Sequence, residues 1–252
     1  MKITLVTAVY NRAGTIAGAI RSVTAQSYGE IEHLVIDGAS SDDTLAVVEA
    51  HLHPGVRVVS EPDCGIYDAL NKGFALASGE VLGLVHSDDF LAHERVVERV
   101  MAAFADPQVD AVYGDLDYVS AADTERVIRR WKAGAFSPGE LRRGWMPPHP
   151  ALFIRRRLWE QRGVYDPQYR IAGDYDAILR WFGTSAGGGT ITAVYLPEVL
   201  VKMRTGGESN RSLGRIVRKS REDWRALRAN QAGGIFTLAA KNLRKVPQFL
   251  LR

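Results

Sequence analysis

The sequence predicts an α/β fold, a mixed sheet flanked by helices and followed by a basic helical tail. Three observations lead there. Over the first two-thirds of the chain, short Val- and Ile-rich runs alternate with segments of helical periodicity, the pattern of strands joined by helices packed on the sheet faces. The run Val81-Leu82-Gly83-Leu84-Val85 leads directly into His86-Ser87-Asp88-Asp89, so a buried strand delivers two adjacent carboxylates to a sheet rim. Beyond about residue 105 the strand signals shorten and the helical crossovers disappear, which suits a mixed sheet better than a purely parallel one.

Taken in order, the elements start with a strand at 2–9, where Ile3-Thr4-Leu5-Val6 opens an apolar run, and a helix at about 13–26. A strand at 31–37 ends in Asp37, and the turn-rich Gly38-Ala39-Ser40-Ser41-Asp42-Asp43 leads to a helix at 44–51. A strand at 56–60, a helix at 66–77 and the acid-bearing strand at 81–86 follow. Short βα connections place their loops at the carboxyl ends of the strands, so Asn11, Asp37 and Asp88 share one rim. Next come a helix at about 92–105 and short strands at 111–113, 115–118, 126–131 and 151–154. A helix at 174–182, the glycine run Gly187-Gly188-Gly189, and strands at 190–195 and 199–203 complete this part. Thr205-Gly206-Gly207-Glu208-Ser209-Asn210 has the composition of a mobile loop suited to be a lid, and 208–230 reads as a polar, Arg-rich helix.

With 252 residues and 46% hydrophobic content the chain can bury a full core. The single cysteine, Cys64, excludes an internal disulfide and a cysteine-rich zinc site. The start, Met1-Lys2-Ile3-Thr4-Leu5, lacks a basic n-region and a cleavage site, and the expected location is the cytoplasm. The net charge of +3 hides an asymmetry: residues 211–252 hold 11 Lys/Arg against Glu222 and Asp223, a net of +9, which leaves −6 on residues 1–210. The expected organisation is an acidic α/β domain at 1–210 and a basic helical extension at 211–252. Apolar residues interleave with the cations after Gly233-Gly234, among them Phe236, Leu238, Leu243, Phe249 and Leu250. Such a tail suits an interfacial helix, peripheral at the inner face of the cell membrane, or a helix packed on the body. Its charge alone would also suit a nucleic-acid-binding protein, but the acidic body opposes that and no recognition module is present.

Four segments carry a resemblance. They are Val6-Thr7-Ala8-Val9-Tyr10-Asn11-Arg12, Ile36-Asp37-Gly38-Ala39-Ser40-Ser41-Asp42-Asp43-Thr44, Glu61-Pro62-Asp63-Cys64-Gly65-Ile66-Tyr67-Asp68-Ala69-Leu70-Asn71-Lys72-Gly73, and His86-Ser87-Asp88-Asp89. In this order and spacing the chain resembles, over roughly residues 1–210, the family-2 glycosyltransferases with the GT-A fold. The third segment is the most specific. The resemblance implies an inverting transfer of a sugar from a nucleotide-diphosphate donor, a UDP-sugar, to a hydroxyl of a glycan or lipid-linked acceptor. It also implies Mn2+ or Mg2+ as cofactor.

Donor-side residues follow from the residues and the resemblance together. Asp37, at a strand end, can accept from a base N–H or simply start the turn at Gly38, and Tyr10 offers an aromatic face to the base or a sheet-edge ring. The resemblance adds Ala8, and it assigns Asp88 to the ribose and Asp89 to the metal. Here Ser87-Asp88-Asp89 stands where other members carry Asp-x-Asp, and either aspartate alone would suit the N-cap of a helix starting near Leu91. Leu70 takes the place of an Arg in the third segment, which leaves Asp68 and Lys72 as its polar candidates. Arg204, before the Gly206-Gly207 loop, is suited to close on the diphosphate.

On the acceptor side, Ala172-Gly173-Asp174-Tyr175-Asp176 resembles the element that carries the family's general base. Asp174 aligns with that base and Asp176 is the fallback. The resemblance also brings His149 and Trp145 of Trp145-Met146-Pro147-Pro148-His149 to the acceptor side, where Trp145 is expected to stack on a sugar ring. The enzymatic rival is a sugar-phosphate nucleotidyltransferase. It calls for a Gly-rich basic loop after the first strand, and Tyr10-Asn11-Arg12-Ala13-Gly14 has a single glycine.

Overall fold

The computed structural model describes residues 1–183, 189–205, 213–244 and 248. In chain order the elements are β1 (Ile3–Val9), α1 (Ile16–Thr24), β2 (Ile31–Asp37), α2 (Thr44–Glu49), β3 (Val56–Ser60), α3 (Ile66–Leu76), β4 (Val81–Leu84) and β5 (Asp89–Leu91). They continue with α4 (Val96–Ala103), β6 (Ala111–Val119), β7 (Val127–Trp131), β8 (Leu152–Arg155), α5 (Arg156–Arg162), α6 (Gly173–Phe182), β9 (Ala193–Arg204), α7 (Leu213–Ala229) and α8 (Ile235–Leu243).

Among the described residues one nine-stranded sheet runs in the order β3-β2-β1-β4-β8-β6-β9-β5, with β7 also paired to β6. β3, β2, β1 and β4 are parallel. β8 then runs antiparallel to both β4 and β6, β9 is parallel to β6, and β5 is antiparallel to β9. The sheet is mixed, as expected. Every residue of β1 is buried, because a central parallel strand is covered on both faces and needs no polar alternation. Its side chains still divide by period two. Val6 and Ala8 join a core with Tyr67, Leu70 and Phe74 of α3, whereas Ile3 and Leu5 join a second core with α1 and α4.

Several boundaries differ from expectation for tertiary reasons. The strands expected at 111–113 and 115–118 are one strand, with a register irregularity at Gly114 and Asp115, and those expected at 190–195 and 199–203 are likewise one. The helix expected from residue 92 begins at Val96, because Asp89–Leu91 is recruited as β5 by pairing with Met203, Lys202 and Val201 of β9. Neither Asp88 nor Asp89 therefore caps that helix, whose N-cap is Arg95. Helix α5 was not expected at all. The expected lid at 205–210 lies outside the described residues except for Thr205, and most of the glycine run at 187–189 lies outside as well.

The basic C-terminal segment packs against the body. Ala226 and Leu227 of α7 are fully buried in the core that contains Tyr175 and Trp181 of α6. Helix α8 lies close to Gly144, whose φ is +75°, and a Cβ there would collide with the Lys241 backbone. Thr237 Oγ1 donates to the Arg142 carbonyl at 2.9 Å. Lys241 is buried against Asp223 at 2.7 Å, with its ammonium 3.2 Å from the Tyr175 ring centroid. Of the tail's expected apolar residues, Leu238 packs on the core, Phe236 and Leu243 are exposed, and Phe249 and Leu250 lie outside the described residues.

His33, in the middle of β2, is fully buried and shares a hydrogen bond with Thr7 Oγ1 at 2.9 Å. Burial pulls its imidazole pKa down to about 3, so the folded chain keeps it neutral while the unfolded chain protonates it below about pH 6.5. The unfolded state then binds the extra proton, and stability falls as pH drops from about 6.5 towards 3. Between pH 6.5 and 5 this single group removes about 2 kcal/mol. Urea unfolding of the wild type and of His33→Gln at pH 7 and 5 should show that much less acid loss in the variant, and equal losses would refute the assignment.

Candidate active site

The rim is assembled by register. Val9 pairs with Asp37 and Asp37 with Ser60, so β1, β2 and β3 end side by side. The loops that follow β1 and β2 interlock. Asn11 adopts φ +51°, donates its backbone N–H to Ser40 Oγ at 2.9 Å and accepts from the Ser41 N–H at 2.9 Å, while the Arg12 N–H donates to Thr44 Oγ1 at 2.7 Å. Tyr10 stands out from this rim, 57% exposed. Ala8 lies buried one turn of pleat below.

Asp37 is fully buried. Its carboxylate accepts from the Ser40 N–H at 3.0 Å, the Ser40 hydroxyl and Ser60 Oγ at 2.7 Å. Of its two expected roles, the geometry displays the turn-forming one. Gly38 admits the Asp63 carboxylate, which a Cβ would strike, and so the 61–65 loop closes over the end of β2.

The third segment organises that loop. Asp68 Oδ2 accepts from the Cys64 N–H at 3.0 Å, and Lys72 Nζ donates to the Pro62 carbonyl at 2.8 Å and pairs with Glu61 at 2.9 Å. Both side chains, expected to face the nucleotide, are engaged in holding the 61–65 loop. Asn71, which sequence reasoning passed over, clamps the backbone of Tyr165 from both sides: its Nδ2 donates to the carbonyl at 2.7 Å and its Oδ1 accepts from the N–H at 2.9 Å.

The paired acids sit where the turn after β4 enters β5, Asp88 in the turn and Asp89 as the first residue of the strand. Asp88 is half-buried, and Asp89 is fully buried with Oδ2 lacking any partner. Burial first and the Asp88 charge second push the Asp89 carboxyl well above the ordinary carboxylate range. Arg204 backs the turn rather than reaching across it. Its Nη1 donates to the Asp88 carbonyl at 2.7 Å, its backbone N–H approaches Asp89 Oδ1 at 3.3 Å, and its guanidinium lies 4.8 Å over the Phe90 ring.

Among the described residues no group of three or more His, Cys, Asp or Glu side chains forms a metal cage. Two carboxylates are nonetheless what a Mg2+ or Mn2+ that also binds a diphosphate asks of the protein, since phosphate oxygens and water complete the shell. An orphaned, buried Asp89 oxygen beside the Asp88 charge fits such an ion, which would relieve both the missing partner and the like-charge repulsion.

The first turn of α6 faces the same cleft. The field of Asp174 reaches His86 together with that of Asp88, and it also reaches His149, Tyr67 and Tyr165. The Asp174 carboxylate is half-buried and, among the described residues, accepts only from the neighbouring Tyr175 N–H at 2.7 Å. Asp176 is not a fallback base. It is buried, with Oδ2 on Arg180 at 3.0 Å and Oδ1 on Asn230 at 2.8 Å, so both oxygens serve the packing. The segment leading into α6 is held by Glu222, whose Oε2 accepts from the N–H groups of Arg170, Ile171 and Ala172 at 2.8–3.2 Å.

The acceptor-side expectations divide. Trp145 cannot stack on a sugar. It is 4% exposed, donates Nε1–H to the Ala133 carbonyl at 2.7 Å, and packs against Tyr113, Phe136 and Phe182. An indole with its one donor satisfied is a core group. His149 is buried and bonded to Tyr165 Oη at 2.8 Å, 6.0 Å from the His86 ring. Burial lowers its pKa to about 4, so it lines the cleft floor as a neutral ring.

Comparison with known proteins agrees with this geometry. Residues 4–167 match the model of glycosyl transferase family 2. An uncharacterized glycosyltransferase of Mycobacterium tuberculosis is 35% identical over 182 residues, covering 71% of this chain and 68% of the relative. A PGL/p-HBAD biosynthesis glycosyltransferase of Mycobacterium bovis is 32% identical over 180 residues, covering 70% and 68%. Succinoglycan biosynthesis protein ExoO of Rhizobium meliloti is 33% identical over 199 residues, covering 69% and 53%. Among solved structures, the Pyrobaculum calidifontis mannosyltransferase PcManGT, in complex with GDP-Man and Mn2+, superposes with TM-score 0.67 at 19% identity, covering 98% of this chain and 70% of that one. The fold is thus that of the GT-A glycosyltransferases. This chain belongs to glycosyl transferase family 2, which sets aside the nucleotidyltransferase reading.

Because Asn71 ties α3 to the Tyr165 backbone and so to His149, Asn71→Ala should lower stability by about 2 kcal/mol through two part-buried hydrogen bonds left half-made. Urea denaturation measures it, and a change within experimental error would show that the clamp carries no energy.

Proposed function

We propose that this glycosyltransferase transfers a sugar, with inversion, from a nucleotide-diphosphate donor, a UDP-sugar, to a hydroxyl of a glycan or lipid-linked acceptor in cell-surface polysaccharide synthesis. The observation that carries the reading is the unpartnered buried oxygen of Asp89 beside Asp88, in a cleft that also receives the half-open carboxylate of Asp174. The names of relatives in succinoglycan and PGL/p-HBAD biosynthesis support the pathway class. Structural neighbours solved with GDP-Man and Mn2+ and with UDP-GlcNAc support the donor class.

In this reading Tyr10 stacks on the base, Asp88 meets the ribose, and Asp89 with Asp88 would hold Mn2+ or Mg2+. When bound, the ion offsets the charge that builds on the departing diphosphate. Asp174 accepts the proton of the acceptor hydroxyl as its oxygen attacks the anomeric carbon and the nucleoside diphosphate leaves from the opposite face. Arg204 keeps the two acids in place through the Asp88 carbonyl. The buried His149–Tyr165 pair and Tyr67 exclude water around Asp174.

Two variants separate binding from chemistry. Asp89→Ala should abolish transfer and weaken UDP binding in the presence of Mn2+, whereas Asp174→Asn should retain UDP affinity and lose turnover by about a hundredfold or more. Calorimetry with and without chelator, alongside a transfer assay, reads both. Unchanged UDP binding in Asp89→Ala would remove the metal role, and an active Asp174→Asn would remove the base.

The reading includes a cytoplasmic enzyme held peripherally at the membrane face. No described helix is long and apolar enough to cross a bilayer. In support, α8 keeps Lys241 inside but exposes Ile235, Phe236 (88%) and Leu243, an apolar strip of the kind that inserts at a lipid interface. Phe236→Ser, which leaves the docked face of α8 intact, should reduce co-sedimentation with phosphatidylglycerol vesicles several-fold. Equal sedimentation would refute membrane contact through α8.

A further inference from the structure

The groove between α7 and the segment before α6 has a composition that the donor reaction does not use. It encloses about 540 Å³ and is lined by Arg170, Arg218, Arg221 and Arg225, with Val217 and Glu222. The three α7 arginines follow one another at spacings of three and four, which puts them on one helix face. The one carboxylate among the described residues lining the groove, Glu222, is directed at the backbone N–H groups of residues 170–172 and not at the guanidinium groups. Among the described residues neither Arg218 nor Arg221 has an acidic partner.

The other two arginines are pre-oriented. Arg225 donates to Gln168 Oε1 at 2.6 Å and lies over the Tyr169 ring at 4.9 Å, and Arg170 donates to the Cys64 carbonyl at 3.3 Å. Four guanidinium groups line one open groove, two held in place and two with no acidic partner among the described residues, an arrangement suited to an anion. Guanidinium groups are suited to phosphate oxygens, which they meet with paired, charge-assisted donors. Val217, 58% exposed, adds an apolar wall.

The groove also lies beside the segment that leads into α6. Arg170 precedes Asp174 by four residues, a span of at most about 14 Å, and Ala172, held by Glu222, is the N-cap of α6. On the side of Arg170, the groove borders the loop that follows β3 through the Cys64 carbonyl.

We propose that this groove binds a phosphate or diphosphate group carried by the acceptor, so that the acceptor's sugar hydroxyl is presented at Asp174 and an attached alkyl chain runs over Val217. The proposal rests on the glycosyl-transfer reading and specifies its acceptor: an anionic, phosphate-linked one rather than a neutral glycan. It predicts that recognition is carried by α7 and not by the donor rim.

The test titrates the full-length protein with inorganic pyrophosphate, with dodecyl phosphate below its micelle concentration, and with dodecyl maltoside as the neutral counterpart. The variant Arg218→Ala/Arg221→Ala is compared with Arg57→Ala/Arg126→Ala, which removes the same charge from exposed sites elsewhere. The wild type and the control should bind dodecyl phosphate in preference to the maltoside, and the groove variant should bind it at least tenfold more weakly with its melting temperature unchanged.

Equal affinity in the groove variant, or an equal loss in the control, overturns the proposal. So does binding only to phosphatidylglycerol vesicles with none to the soluble phosphates, which would make the arginines a membrane contact. UDP binding measured on the same samples stands apart: its absence from the wild type counts against the donor reading, whereas the phosphate titration is read independently of it.

Discussion

A carboxylate near the end of the chain, Glu222, accepts hydrogen bonds from three consecutive backbone N–H groups and thereby sets where α6 begins. These donors lie just ahead of the first turn of α6, and the last of them belongs to Ala172, its N-cap. The neighbouring residue secures the same helix from the other side. Asp223 is buried between Lys219 at 2.9 Å and Lys241 at 2.7 Å, and the Lys241 ammonium rests on the Tyr175 ring. Burial drags Lys241 down to about 7, while the two lysines hold Asp223 below the ordinary carboxylate range. We read the contact as an ion pair because each oxygen of Asp223 has its own ammonium. A buried pair of this kind adds little net stability, but losing one partner costs about 3 kcal/mol or more. Its value is positional, and the position it defines is that of Asp174.

The cleft therefore has two halves with different origins. The strand-end half is made by register, as parallel strands end together and their loops exchange hydrogen bonds through Asn11, Ser40, Ser41 and Thr44. The α6 half is made by helix packing, with Asp176 turned inward to Arg180 and Asn230 while Asp174, two residues earlier, stays half-buried. Rotation of about 100° per residue makes those roles exclusive. One aspartate anchors the helix and the other stays available.

Much of this was readable in the sequence because it depends on local pattern. The strands at 31–37 and 56–60 match expectation residue for residue, since short β-branched runs between turn residues leave little ambiguity. What depends on distant partners was not readable. Asp89 enters a strand because Met203 lies opposite, and nothing within ten residues of Asp89 says so. Trp145, bounded by prolines in a loop-like stretch, looks like a binding aromatic until the rings of Tyr113, Phe136 and Phe182 close around it. One signal was present but unused. Residues 211–252 contain only two acids among 11 cations, and those two, Glu222 and Asp223, are the ones the fold employs.

Arg204 has a kinetic implication. It grips the Asp88 carbonyl across 116 residues of chain, at the end of the strand that pairs with β5. Contacts of such separation form late, since a long loop must close before they are rewarded. A chain emerging from the ribosome can complete β1 to β4 and their rim early, yet its acids stay unsupported until residue 204 has been synthesised. The segment that earns family membership, ending at residue 167, is thus shorter than the smallest piece able to hold its own acidic turn in shape. Order of synthesis makes support of this acidic turn a late event in the formation of the fold.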